Sequence, residues 1–382
     1  MIHESTEFLI LGSGFAGSLT ALLLQRLGRA VVLADRASHP RFAIGESSTP
    51  LADLMLERLT RQYGVERLKP LTRYGSWKRT VPQVVCGLKR GFSYFRHYPE
   101  RHFHTDKTHS NELLLAANAD DEHGDTHWLR SDVDSYFVDE AVRVGIPFHD
   151  RLELRPVARG PWVWSGERQG ERASIQAKFV IDATGPAGVV AQAAGARPRT
   201  KCLRTRSRSV FAHVRGLKTW AACLDARGVD CREHPFACDA AAVHHVLDEG
   251  WMWQLRFDNG VTSAGFVLED LELHGDRHLE WRTLLSRYPS LQDQFADAQI
   301  VAPEDGLRQS PRLQRLWWPI CGSDWALLPS AAGFIDPLHS TGIAHSLFGV
   351  ERLVETVVPH LHSAKGAWRS SATAGCSAAR RF

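Results

Sequence analysis

The chain has 382 residues, 43% hydrophobic and 23% charged, with 46 basic against 43 acidic residues and a formal net charge of +3. That length exceeds the roughly 250 to 300 residues one hydrophobic core usually serves, which predicts two intimately joined domains. The interspersed, nearly balanced charge leaves no footprint for a nucleic acid, no apolar stretch reaches membrane-spanning length, and the polar MIHESTE start is not a signal peptide.

FLILGSGFAG, Phe8 to Gly17, reads as a buried parallel strand running into Gly12, Gly14 and Gly17, the G-x-G-x-x-G spacing at the mouth of a helix. Gly12 allows the tight turn, Gly14 lets bare backbone approach a pyrophosphate, and Gly17 lets the helix pack close on the strand. Backbone amides there, around Phe15 and Ala16, point at the phosphates, where the helix dipole favours negative charge. SLTALLLQRLG follows as an amphipathic helix and AVVLAD as a second strand. Asp35 then lies 23 residues beyond Gly12, where a ribose-binding carboxylate is expected.

In HPRFAIGESSTPLADLMLERL, Ser48 or Thr49 can cap a helix with Pro50 at its first position. Capping does not account for Gly45, Glu46 and Ser47. A dinucleotide fold followed by Arg41 and then G-E-S-x-x-P resembles the flavin-dependent halogenases, the tryptophan-halogenase-like family within the FAD-dependent monooxygenase superfamily. The resemblance implies FAD in the Gly12 to Gly17 turn, with Arg41, Glu46 and Ser47 beside it.

Farther along, VVCGL and GFSYF alternate as strands, with Lys89 between them in K-R-G-F-S-Y-F. A similar K-x-G-x-x-F lysine in the family holds hypohalous acid beside the substrate, by hydrogen bonding or as a haloamine. The resemblance makes Lys89 the catalytic candidate, with Lys78 as fallback. HWLRSDVDSYFVDEAVRVGI predicts an amphipathic helix capped by Ser131 or Asp132, and Arg130 ahead of it resembles the family arginine on the flavin's ribityl-pyrophosphate arm. KFVIDATGP places Asp182 and Gly185 at a strand end whose small residues let backbone pass close to a cofactor, the second FAD signature of the superfamily.

HHVLDEGWMWQLRFDNGVTSAGFVL contains W-x-W-x-L-R, so Trp251 and Trp253 share one strand face, and Asn259-Gly260 predicts a hairpin turn. The family carries W-x-W-x-I-P there, with the tryptophans as a wall between flavin and substrate; Leu255 and Arg256 depart from it. Last, WALLPSAAGFIDPLHSTGIAHSLF predicts a strand, a turn and a helix starting near Ser340. G-F-I-D-P-L-x-S-T-G-I resembles the family's halide segment. By that resemblance Asp336, Pro337, Gly342 and Ile343 border the isoalloxazine, and the amides of Ser340, Thr341 and Gly342 bind halide. His339 stands where tryptophan halogenases carry a glutamate, and it is a candidate for the acid/base role.

The expectation is therefore an α/β fold, a Rossmann-type FAD-binding domain with an inserted mixed β-sheet substrate domain. The FAD-binding domain takes residues 1–65, 105–195 and 300–362, and the substrate domain 66–104 and 196–299. The small, polar, basic tail 363–382 is expected to be disordered. The implied activity is halogenation of an electron-rich aromatic substrate, free or carrier-bound, using reduced FAD from a separate flavin reductase, oxygen and chloride or bromide. An aromatic hydroxylase or a geranylgeranyl-reductase-like flavoenzyme is the first alternative. The second is a flavin-binding protein without turnover, because family members continue with helices that cover the pocket. A homodimer could restore that cover. Seven cysteines, odd in number and without C-x-x-C spacing, indicate neither a disulfide framework nor a zinc site, so a cytoplasmic protein with no metal, no nucleic-acid and no membrane partner is expected.

Overall fold

The computed structural model describes residues 2–269, 271–272 and 275–362; the tail at 363–382 lies outside them. Strand β1 (Ile2–Leu11) runs parallel to β2 (Val31–Ala34) on one side and to Glu171–Asp182 on the other. Trp325–Leu327 adds in parallel beside the end of Glu171–Asp182, and Phe148–His149 beyond β2. Phe8, Leu9 and Ile10 are wholly buried, because helices or sheet cover both faces, and this is why the strand reads as an unbroken apolar run. Helix α1 (Phe15–Arg26), Arg130–Arg143 and Gly342–His362 pack one face through Leu19, Leu23, Phe137, Leu347 and Val350. Trp162, Trp164 and Val190 line the other. The strand ends at Leu11, Ala34, Asp182 and Leu327 therefore gather at one edge, where open parallel sheets bind ligands.

The second large sheet runs Gln299–Ala302, Arg208–Arg215, Val261–Leu268, Gly250–Arg256, Ala242–Leu247, Gly91–Arg96, Glu112–Ala116. It is mixed, because Ala242–Leu247 and Gly91–Arg96 run parallel while their other neighbours are antiparallel. Its back packs on Trp220, Trp281, Tyr288 and Phe295, and its front carries Phe211, Trp253 and Leu255. The Asn259-Gly260 hairpin forms, with Gly260 at φ +80° and Arg256 paired to Thr262.

This sheet reaches past the expected domain boundaries. Glu112–Ala116 pairs with Gly91–Arg96, and Gln299–Ala302 and Arg308–Ser310 both pair with Arg208–Arg215, so residues 112–116, 300–302 and 308–310 belong to it rather than to the cofactor side. Short strands flanked by polar turns carry no sequence mark of which sheet they join. Between the two large sheets, Cys86–Lys89 and Asp125–Trp128 form a two-stranded ribbon.

Candidate active site

The turn after β1 is built only for glycine. Gly12 has φ +104°, and a Cβ there would stand 2.4 Å from the Ala183 carbonyl oxygen. At Gly17 a Cβ would lie 2.1 Å from the Gly12 carbonyl oxygen and 2.9 Å from Ala183 Cβ. Gly14 precedes α1, and the space beside it is bordered by two guanidiniums: a Cβ there would be 3.4 Å from Arg130 Nη2 and 3.7 Å from Arg41 Nη2. The Asp134 carboxylate stands between them, with Oδ2 3.6 Å from the same point, and it takes the Phe15 amide; the two cations beside the helix N-terminus are what suit this corner to an anion.

Asp134, wholly buried, orders this corner. It accepts from the Phe15 amide at 3.0 Å and from Arg130 Nε and Nη2, each at 2.9 Å. Arg130 also donates to the Ile44 and Gly45 carbonyls at 3.0 and 3.1 Å and lies over the Phe15 ring. Asp35, at the end of β2, accepts from the Ser13 amide and hydroxyl, both at 2.8 Å, and from the Ala37 amide at 2.9 Å. Burial would raise its carboxyl, but the Ala37 and Ser13 amides and Arg41 outweigh burial and hold it below its ordinary value. An ionised carboxylate has about four acceptor positions, so these three bonds leave about one for a ribose hydroxyl. Arg41 Nε, Ser47 Oγ and His39 Nδ1 are buried without hydrogen-bond partners here. A glycine cradle, two guanidiniums and orphaned polar atoms fit a dinucleotide.

The Gly45 to Pro50 segment joins this cradle to the lysine. Glu46, 2% exposed, holds His213 Nε2 at 2.7 Å on the substrate sheet, while its carbonyl accepts from the Trp128 amide at 2.6 Å. Ser47 bridges to His127, and the Ser48 amide donates to the Thr126 carbonyl at 3.0 Å. Of the two expected caps, Thr49 serves: its hydroxyl accepts from the Ala52 amide at 3.3 Å at the start of helix α2 (Pro50–Tyr63). Ser48 instead hydrogen-bonds Asp53 and accepts from Lys89 Nζ on its carbonyl.

Lys89 is wholly buried, directly across the ribbon from Asp125 and with Nζ 4.2 Å from the Phe92 ring centroid. Burial lowers its pKa to about 8 against the pull of Asp125 and Asp53. Burial also raises both carboxyls; Asp53, raised further by the Asp125 charge, stands well above its usual range. A lysine that readily gives up its proton is a nucleophile at neutral pH. Lys78, the fallback, is part-exposed and paired with Asp258 at 2.6 Å, an ion pair that raises its pKa.

Aromatic rings connect Lys89 to the cofactor side. Phe92 is followed by Tyr94 and His244, stacked at 4.7 Å, then by Trp251 at 5.1 Å, Trp253 at 6.3 Å, Phe211 at 6.0 Å and Phe42 at 6.2 Å, next to Arg41. Trp253 is seated because Gly265 lies under it; a Cβ there would stand 2.3 Å from the indole. Leu255 joins this apolar front, whereas Arg256 turns to the Leu217 and Lys218 carbonyls. His244 is driven to about 3 by burial, then by Lys89, with a smaller push from His339, so it senses both the lysine and the D-P-L-H-S-T-G turn.

That turn is held by the Leu338 amide on Asp336 at 2.8 Å and the Ser340 amide on the Pro337 carbonyl at 3.1 Å. Ser340 takes φ +54°, and the His345 amide then bonds the Thr341 carbonyl at 2.9 Å, leaving the Gly342 and Ile343 amides among the helix's terminal donors. A Cβ on Gly342 would meet nothing within 4 Å. His339 is exposed, and Asp336 shares a cavity of about 430 Å³ with Trp251, Arg204 and Arg206.

Two expected residues do other work. Asp182 spends its carboxylate on the Thr184 amide and hydroxyl and on the Val190 and Ala191 amides, holding the helix Val189–Ala193, so the contact with the Gly12 turn comes from the neighbouring Ala183 backbone. Gly185, at φ +60°, opens the turn that follows. Helix Arg130–Arg143 begins without a side-chain cap, and Asp132 bonds the Ser131 hydroxyl and the Val85 amide instead. Sequence reading missed Asp53, Asp125, Asp134, His213 and His244. The one local trace was an aspartate on the apolar face of α2 in L-A-D-L-M-L; the others depend on partners far along the chain.

A model of the FAD binding domain matches residues 5–264, and a tryptophan halogenase model matches residues 166–367. Monodechloroaminopyrrolnitrin halogenase PrnC of Pseudomonas fluorescens is 29% identical over 94% of this chain and 63% of its own length. Tetracycline 7-halogenase of Kitasatospora aureofaciens is 28% identical over 89% of this chain and 61% of its own. The chain thus spans somewhat over three fifths of these relatives. The crystal structure of halogenase PltM in complex with phloroglucinol and FAD superimposes with a TM-score of 0.84 at 26% identity, covering 95% of this chain and 71% of that one.

Proposed function

Because the chain belongs to the tryptophan halogenase family and carries an FAD-binding domain, we propose that it is an FAD-dependent halogenase of electron-rich aromatic compounds. Its partners are a separate flavin reductase and a halide. Bound FAD, once reduced, supplies the oxygen activation that converts halide to hypohalous acid. The observation that carries the proposal is the wholly buried Lys89, softened to about pKa 8 and joined by continuous aromatic rings to the cofactor cradle.

In this reading Arg41 and Arg130 hold the pyrophosphate and Asp35 a ribose. The amides around Thr341 and Gly342 hold the halide without offering a countercharge. Trp251 and Trp253 keep the aromatic substrate off the flavin while the small oxidant passes. The neutral Lys89 amine takes halogen from hypohalous acid, its lost proton leaving in water. It then delivers the halogen to a ring carbon, and the proton that carbon releases restores the N–H bond. His244, uncharged through the physiological range, keeps positive charge away from that amine.

The test is product formation by the purified chain with FAD, a generic flavin reductase, NADH, oxygen and bromide or chloride, using phenols and indole as probes. The expected result is product carrying the halogen isotope pattern, abolished in Lys89→Ala. Oxygenated product formed at the same rate without halide, and retained in Lys89→Ala, would replace this reading with a hydroxylase.

A further inference from the structure

We propose that His109, Glu112 and His234 form a binding site for a zinc-type divalent cation at the outer edge of the large sheet. Their ligand atoms lie within 4.8 Å of one another, although His234 is far from the other two in sequence. Glu112 stands at the start of edge strand Glu112–Ala116, and His234 in the connection between helix Trp220–Asp225 and strand Ala242–Leu247.

The Glu112 side chain is 1% exposed and that of His234 6%, yet Glu112 Oε2 and His234 Nε2, facing each other at 3.5 Å, are buried without a hydrogen-bond partner. A buried carboxylate oxygen opposite a buried imidazole nitrogen, neither satisfied, is costly unless something joins them. His109 completes the set. Its Nδ1 lies against Glu112 Oε1, and its Nε2 lies 3.4 Å from the Glu233 carboxylate. One ring nitrogen toward the ligand set and the other toward a carboxylate is how metal-binding histidines are held. His109 is also a non-glycine residue at φ +55°, a strained backbone kept where the ring must point.

Two imidazoles and a carboxylate are the donors that zinc prefers, with a fourth position for water. At metal–ligand distances of about 2.0–2.1 Å, tetrahedral donors stand roughly 3.4 Å apart, so the widest pair must close by up to about 1.4 Å. His109, with its side chain 32% exposed, is free to supply that motion and opens the fourth position to solvent. Glu112 pairs with Phe95, four residues beyond Gly91, which places the site about 13 Å along the strand from the Lys89 end. The cation would therefore pin the 226–241 connection to the sheet edge and take no part in chemistry at the lysine.

The test uses the full chain, free of any purification tag and stripped with a chelator, titrated with Zn²⁺ by calorimetry and with Co²⁺ by visible absorption. The expected result is one equivalent bound, a thermal midpoint raised by Zn²⁺, and affinity weakened at least about tenfold in His109→Ala and Glu112→Gln. His109 is part-exposed, so if Glu112→Gln fails to fold, His109→Ala decides. No binding, or one equivalent bound with unchanged affinity in His109→Ala, would overturn the proposal.

Discussion

The amine of Lys89 should titrate near 8, and halogen transfer should follow its neutral fraction. An ordinary lysine in this chain has a reference pKa of 10.5; burial carries Lys89 down to about 8 even though Asp125 and Asp53 pull it up. At that pKa the neutral amine is about 9% of the population at pH 7 and about 91% at pH 9, so a step needing its lone pair gains roughly tenfold between them. If Lys89 acted only as an ammonium donor, the same interval would cost roughly tenfold. The chain has eight lysines, so a selectively lysine-labelled protein gives few Cε resonances, and the one missing from Lys89→Met identifies this group. Its titration separates the amine from any pH dependence of the reductase or the flavin.

Stability carries the same signature. The folded pKa lies below the unfolded one, so between pH 8 and 10.5 the unfolded chain binds more protons. Stability should then rise with pH across that window, by about 3 kcal/mol in total, a rise absent from Lys89→Met. A Lys89 resonance titrating near 10.5, or halogenation that falls from pH 7 to 9 in step with it, would refute the reasoning.

At Gly17, alanine places a Cβ 2.1 Å from backbone oxygen that cannot move without opening the turn; Gly17→Ala should lose FAD affinity at least about tenfold by fluorescence titration, and undiminished affinity would dissociate the turn from the cofactor. Gly342→Ala is the contrast, because its Cβ meets no protein atom within 4 Å. Folding stability should change by under about 0.5 kcal/mol while the KM for halide rises, and an unchanged halide KM would remove this loop from halide binding. Burial holds His97, His127 and His244 at about 3, below the unfolded value, so their contribution is lost as pH falls from 6.5 toward 3. Each costs about 1.4 kcal/mol at pH 5.5. The raised carboxyls of Asp53 and Asp125 act in the opposite sense and offset part of this. The urea midpoint should still drop between pH 7.5 and 5.5, and a midpoint that holds would mean these histidines are not buried neutral.

How legible each part was in the sequence follows from how local its physics is. The β1 turn was readable because each glycine answers to a neighbour brought close by the chain's own βαβ geometry, and the Asn259-Gly260 hairpin because two residues fix its turn. Thr49 over Ser48 as the cap was not readable. Both offer a hydroxyl, and the choice was made by Lys89 and Asp53, which occupy Ser48 from elsewhere. Asp182 shows the converse. Its motif marks the correct strand end, but the carboxylate that the motif names faces a neighbouring helix, and the close approach is made by Ala183 backbone. The acidic partners of Lys89 were hidden because a ribbon register and the roll of α2, not spacing, bring Asp125 and Asp53 to it.

The segment from Gly45 to Pro50 explains why a stretch with weak secondary-structure signals holds the site together. Glu46 reaches the substrate sheet through His213, its carbonyl and the Ser48 amide pair with the ribbon, the Ser48 carbonyl receives the lysine, and Thr49 starts α2. Gly45, at φ +91°, brings its carbonyl to Arg130 and hence to the corner beside Gly14. Each residue faces a different element, so no period of two or 3.6 can appear, and an analysis of periodicity alone would call it loop. What fixes its composition is a set of distances. In the proposed function the amine works at a set remove from the cradle, and an extended segment bonded at both ends is the shortest rigid connector between them. A change in length here should therefore harm activity more than it harms folding, since both sheets keep their own cores.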